Sequence, residues 1–72
     1  MKIRDFFENY RHCYEIDVTI YGKNNRLKGG RDIYTDEEYD NFIKDYGDEE
    51  FVDWSFENIE DDAIITFYLK SF

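Results

Sequence analysis

The sequence predicts one α+β domain over residues 1–72, with elements in the order α-β-β-α-β-β and a four-stranded, antiparallel-rich sheet carrying both helices on one face. Three observations lead there. Apolar residues recur at i, i+3, i+4, i+7 in two stretches, which is helical spacing. In three others they alternate with polar residues, which is strand spacing. Turn-forming residues at 22–25 and 58–62 then group the strands into two hairpins.

Residues 2–10 place Ile3, Phe6, Phe7 and Tyr10 on one helical stripe, leaving Lys2, Arg4, Asp5 and Glu8 exposed. So short and weakly capped a helix is marginal alone and must be held by packing on a sheet. From Tyr14 to Tyr21, Tyr14, Ile16, Val18 and Ile20 alternate with Glu15, Asp17, Thr19 and Tyr21, giving a strand with one buried face. Gly22-Lys23-Asn24-Asn25 suits a reversal with positive φ, and the chain returns along Arg26 to Tyr34. Gly29-Gly30 in this return strand predicts a bulge, a bent edge or a close backbone approach.

Start signal, stop signal and period agree best from Thr35 to Gly47. Thr35 and Glu38 form a capping box, and Asp36, Glu37 and Glu38 place negative charge at the positive end of the helix dipole. Gly47 is expected to close the helix in the left-handed conformation. Tyr39, Phe42, Ile43 and Tyr46 make the apolar stripe; Asp36, Glu37, Asp40 and Asp45, with Lys44, make the outer face.

Val52, Trp54 and Phe56 then alternate with Asp53, Ser55 and Glu57, and after the acidic turn Asn58 to Asp62 comes the most apolar strand, Ala63 to Leu69, expected at the sheet centre. The helical crossover makes the third strand parallel to the second, so the hairpins are expected to join through a further antiparallel pair, in order 2-1-3-4 or 1-2-4-3. The expected core is Ile3, Phe6, Phe7, Tyr10, Ile16, Val18, Ile20, Phe42, Ile43, Val52 or Phe51, Trp54, Ile65, Phe67 and Leu69. Thr19, Tyr21, Asp53, Ser55, Glu57, Thr66 and Tyr68 are expected on the wet face.

A chain of 72 residues is near the lower limit for folding without staples, and seven Phe, seven Tyr and one Trp supply the compensating core. Absence of Pro and of low-complexity tracts argues against disorder despite the charge. One cysteine, Cys13, permits no internal disulfide, and with His12 as the lone histidine no zinc set can be built. No apolar run is long enough to span a membrane, and the N-terminus does not read as a signal peptide, so a cytoplasmic protein is expected.

Chemistry is sparse. His12 and Cys13 are adjacent and on an extended chain point to opposite sides, so no nucleophile and base come together. KGGR lacks the spacing of a phosphate loop, and the acidic stretches lack the ligand pattern of a calcium loop. No enzyme activity, cofactor or metal is therefore expected. Lys23, Arg26, Lys28 and Arg31 read as a solvated loop neutralising nearby acids rather than a nucleic-acid patch, since a net charge of −9 repels a polyanion.

The distribution of that charge is the functional signal. Residues 1–31 hold four acids (Asp5, Glu8, Glu15, Asp17) against seven cations (Lys2, Arg4, Arg11, Lys23, Arg26, Lys28, Arg31); the other fourteen acids stand against only Lys44 and Lys70. Such self-repulsion is a cost in a small domain, which suggests that the acids imitate nucleic-acid phosphates. The residues expected to bind a basic partner are Asp36, Glu37 and Asp40 on the second helix, Asp48, Glu49 and Glu50 after it, and Glu60, Asp61 and Asp62 in the final turn.

The stretch TDEEYDNFIKDYGDEEFVDW, with its alternating acids and aromatics, resembles in style the small acidic proteins of phages and mobile elements, among them the anti-CRISPR proteins. That resemblance implies an inhibitor of a nucleic-acid-handling host-defence enzyme, such as a CRISPR effector nuclease, acting by nucleic-acid mimicry. It carries over no individual residue. The alternative is a small structural or homodimeric interaction domain joined through a sheet edge.

Overall fold

The computed structural model describes residues 1–9, 15–60 and 62–70. Its elements are α1 (Ile3–Asn9), β1 (Ile16–Gly22), a single 3-10 turn (Lys23–Asn25), β2 (Arg26–Ile33), α2 (Asp36–Tyr46), β3 (Phe51–Ile59) and β4 (Asp62–Leu69). The element order is the one expected. Tyr10, Tyr14, His12 and Cys13 lie outside the described residues, as does Asp61.

The sheet order is β2-β1-β4-β3, which corrects both orders expected from the sequence. Each hairpin is antiparallel, but β1 and β4 meet as a parallel pair, with Val18 opposite Ile65 and Ile20 opposite Phe67. The physical reason is burial. β1 and β4 bury Ile16, Val18, Ile20, Ile65, Phe67 and Leu69, and both strands are central only when the hairpins join through them. Either expected order would have left one of the two on an edge.

Both helices cover the same face, where α1, α2 and the sheet enclose a single cluster of buried side chains. Phe67 is fully buried and meets Phe6, Phe7 and Phe51 at ring-centroid distances of 5.1, 5.8 and 4.8 Å. Ile33, which the period did not single out, is also buried, while Tyr39, Ile43 and Tyr46 pack against the cluster half-buried.

At the third strand the expected pattern shifts. A bulge between Phe51 and Asp53 gives the buried site to Phe51 and leaves Val52 69% exposed. Trp54, expected in the core, touches Phe6 at 4.9 Å yet remains 43% exposed, because β3 is an edge strand and α1 has only seven residues with which to cover it.

The weak cap of α1 is replaced by backbone. The first helical N–H groups, of Ile3 and Arg4, donate to the Glu49 and Gly47 carbonyls at 3.0 and 2.9 Å, and the Phe51 N–H donates to Met1 O at 3.0 Å. These bonds tie the N-terminal segment to the outer edge of β3, since the Glu50 carbonyl faces the other way and accepts from Lys70 N.

Helix α2 starts as expected: Glu38 N donates to Thr35 Oγ1 at 3.1 Å, and the Glu38 carboxylate accepts from Tyr34 N and Thr35 Oγ1. Its end is a correction. Gly47 is right-handed, with φ −60° and ψ −28°, and its N–H continues the helical bonding to Ile43 O. What requires glycine is space, because a Cβ there would meet the Ile43 carbonyl and lie 3.2 Å from Arg4 Nη2.

Gly29 follows the expected reasoning more closely. It sits at the β1–β2 bulge, and an added Cβ would stand 2.6 Å from the Tyr46 hydroxyl oxygen. In the reversal before it, Asn24 takes φ 65°.

Candidate functional site

Connectivity sorts the carboxylates. The end of β2 leads through Tyr34 and Thr35 into α2, so the first turn of α2 shares one end of the sheet with the start of β1 and the β3–β4 turn. On the second rung at that end Asp17 stands opposite Asp32 on one side and Ile64 on the other, with Glu57 next across. Exposed Asp36, Glu37 and Glu38 come next on α2, with Asp40 a turn further, and exposed Glu60 and Asp62 flank the last hairpin.

Charges there act on one another. The Asp32 carboxyl is held above its usual range, chiefly by a hydrogen bond with Asp17 that only the protonated form can donate, then by the Asp17 charge, with desolvation, Glu38 and Asp62 adding to it. The Tyr34 hydroxyl donates to Asp17 Oδ1 at 3.2 Å, and that bond, followed by the Asp17 charge, raises its phenol as well.

The opposite end is different. Arg4 Nε meets Asp48 Oδ1 at 2.9 Å, and Lys28 Nζ meets Glu49 Oε1 at 2.6 Å. Arg31 starts from the third rung but turns its guanidinium to Asp45 Oδ2 at 2.6 Å, in the last turn of α2, and over the Tyr46 ring at 5.4 Å. Its hydrogen bond with Asp45 is the main cause of its raised pKa. All three ion pairs among the described residues therefore lie toward this end, together with Lys2, Lys23, Arg26, Lys44 and Lys70.

The nine residues expected to bind a partner are consequently divided. Asp36, Glu37, Asp40, Glu60 and Asp62 gather at the anionic end; Asp48, Glu49 and Glu50 stand at the other, about 20 Å away by strand rise. Asp61 lies outside the described residues. The nine therefore do not form one continuous surface, because α2 runs the length of the sheet and carries the chain from one end of it to the other. Asp48 and Glu49 are also paired, and Glu49 is half-buried.

Sequence reasoning passed over Asp17, Asp32 and Glu57 as site residues. Pairing β1 with β2 outward from their turn, allowing one extra residue at Gly29-Gly30, would have set Asp17 against Asp32.

This end can attract and orient cationic groups. Among the described residues, no three His, Cys, Asp or Glu side chains stand close enough together to hold a metal ion, and no helix is long and apolar enough to cross a membrane. No family model, curated protein or solved structure matches the chain.

Proposed function

We propose that the protein binds a basic, nucleic-acid-handling partner through its anionic end and excludes that partner's nucleic acid, as an acidic inhibitor of phage or mobile-element type. The observation that carries this reading is the separation of charge: Asp17, Asp32, Asp36, Glu37, Asp40 and Asp62 share an end of the domain at which none of the three ion pairs among the described residues is formed. Carboxylates held on a helix and a sheet are preorganised for a cationic channel, and complementary charge accelerates encounter and selects the partner. The partner class, a CRISPR effector nuclease or another phage-defence enzyme of the bacterial cytoplasm, comes from the resemblance in style to anti-CRISPR proteins. The role is one of binding, without catalysis.

Affinity capture from bacterial cytosol tests it, using the wild-type chain beside Asp36→Lys/Glu37→Lys/Asp40→Lys. Wild type should retain a nucleic-acid-binding enzyme and inhibit its cleavage or binding of nucleic acid; the triple reversal should lose both, with its circular dichroism intact. Asp36→Asn/Glu37→Gln/Asp40→Asn is the milder companion, since lysines in a first helical turn each cost about 0.3–1 kcal/mol against the dipole. Capture of a partner that handles no nucleic acid, or undiminished capture by both triple variants, would refute the reading. Reversing Asp48, Glu49 and Glu50 is less clean, because it also breaks the contacts with Arg4 and Lys28.

A further inference from the structure

The two edges of the sheet are unequal. β2 is broken by a bulge and two glycines and carries Arg26, Lys28, Arg31 and Asp32, features that discourage pairing with another strand. β3 is nine residues long, and Val52, Phe56 and Ile59 on it are 69%, 49% and 53% exposed. Among the described residues, only the Lys2–Glu50 bridge lies along its outer edge. A long apolar edge strand is a template for a further strand.

We propose that a second copy of this chain occupies that edge, β3 against β3 in antiparallel sense about a two-fold axis, with Phe56 of one copy opposite Phe56 of the other. Three constraints select this arrangement and register. Opposed residues in an antiparallel pair share a face, so a continuous sheet with both helix layers on one side requires a residue to pair with itself on the axis. Centring on Ser55 would set Asp53 against Glu57, opposing like charges, and would run Ile59 onto Phe51, whose N–H already donates to Met1.

Centring on Phe56 removes both conflicts. Asp53 then faces Ile59, Ser55 faces Glu57, Trp54 faces Asn58, and the pairing stops short of Phe51. Two Phe56 rings meet on the helix-covered side, where each is half exposed in one copy. Antiparallel pairing also sets the anionic end of each copy beside the cation-bearing end of the other, bringing Glu60 next to Met1 and within reach of Lys2. The charge complementarity favours a second copy over an unrelated strand.

Crosslinking of the full chain tests the register. In a Cys13→Ser background, oxidised Phe56→Cys should form a covalent dimer, whereas Ser55→Cys should remain mainly monomeric under the same conditions. Wild type should sediment as a monomer–dimer equilibrium, and mixed-label NMR should show contacts between Phe56 rings of different chains, which keeps the test independent of the variants' folding. Sedimentation as a monomer up to about 1 mM, a dissociation constant worth only about −4.1 kcal/mol, would overturn the proposal. So would faster crosslinking by Ser55→Cys, or a dimer without Phe56–Phe56 contacts.

Discussion

Asp17 and Asp32 stand directly opposite each other across the β1–β2 ladder, on the sheet face that neither helix covers. Like charges in that position destabilise a sheet, and the pair relieves the repulsion by holding a proton on Asp32 more firmly than an isolated carboxyl would. The folded chain therefore binds this proton more tightly than the unfolded one. Stability from this group is lowest above the raised folded pKa and recovers as pH falls through it into the ordinary carboxylate range. Asp32→Asn should consequently melt higher than wild type at pH 7, with the gap closing on acidification. Thermal melts of both proteins from pH 7 to pH 4 check this, and equal melting at pH 7 would show that the pair carries no penalty.

Phe67 occupies a central strand and is sealed by rings from α1 and β3, so little can move to fill the space it leaves. Phe67→Ala should cost about 3–5 kcal/mol, a large share of the total for a domain this small. Urea denaturation measures it. A variant with an unchanged midpoint would mean that the strand register is wrong.

At Gly29 the limiting contact is a side-chain tip. A Cβ would crowd the Tyr46 hydroxyl oxygen at 2.6 Å and the ring carbon behind it at 3.3 Å. Gly29→Ala should therefore destabilise the protein by about 1–3 kcal/mol, the range for overpacking, and Tyr46→Phe should recover part of the loss. The four proteins of that double-mutant cycle should show coupling beyond the roughly 0.3–0.5 kcal/mol expected for independent sites. Strict additivity would place the strain elsewhere, for instance at Arg31 above the same ring.

Local rules made most of the fold legible. Thr35 and Glu38 mark the start of α2 through a cap that needs no tertiary partner, and the alternation of Ile16, Val18 and Ile20 fixes which face of β1 is buried. Nonlocal choices escaped. The parallel β1–β4 pair is set by competition among strands for the centre, which each strand's own pattern does not encode. Alternation left Val52 and Phe51 both open for one core position, and the choice of Phe51 depends on a bulge that no glycine announces. The anionic end was half visible: the acids of α2 and the last turn stand out in the chain, but Asp17 belongs to the weakly basic first part and joins them only through pairing with Asp32.

Salt should move the two proposed interactions in opposite directions. Two copies of the chain each carry −9, and an edge-to-edge pair places their centres about one molecular width apart, with the domain measuring 28 × 26 × 19 Å. That separation lies within the Debye length of about 30 Å at 0.01 M ionic strength but spans about three Debye lengths at 0.15 M. The complementary ends offer a few favourable contacts per dimer, whereas the net charges repel as a whole, so repulsion wins at low salt. Raising ionic strength from 0.01 to 0.15 M should tighten self-association, while the anionic end should lose affinity for a basic partner as its attraction is screened. Sedimentation and partner capture, run over the same salt series, separate the two. Self-association that weakens with salt would show that contacts between the complementary ends outweigh the repulsion of the net charges, and capture indifferent to salt would remove the anionic end as the partner surface.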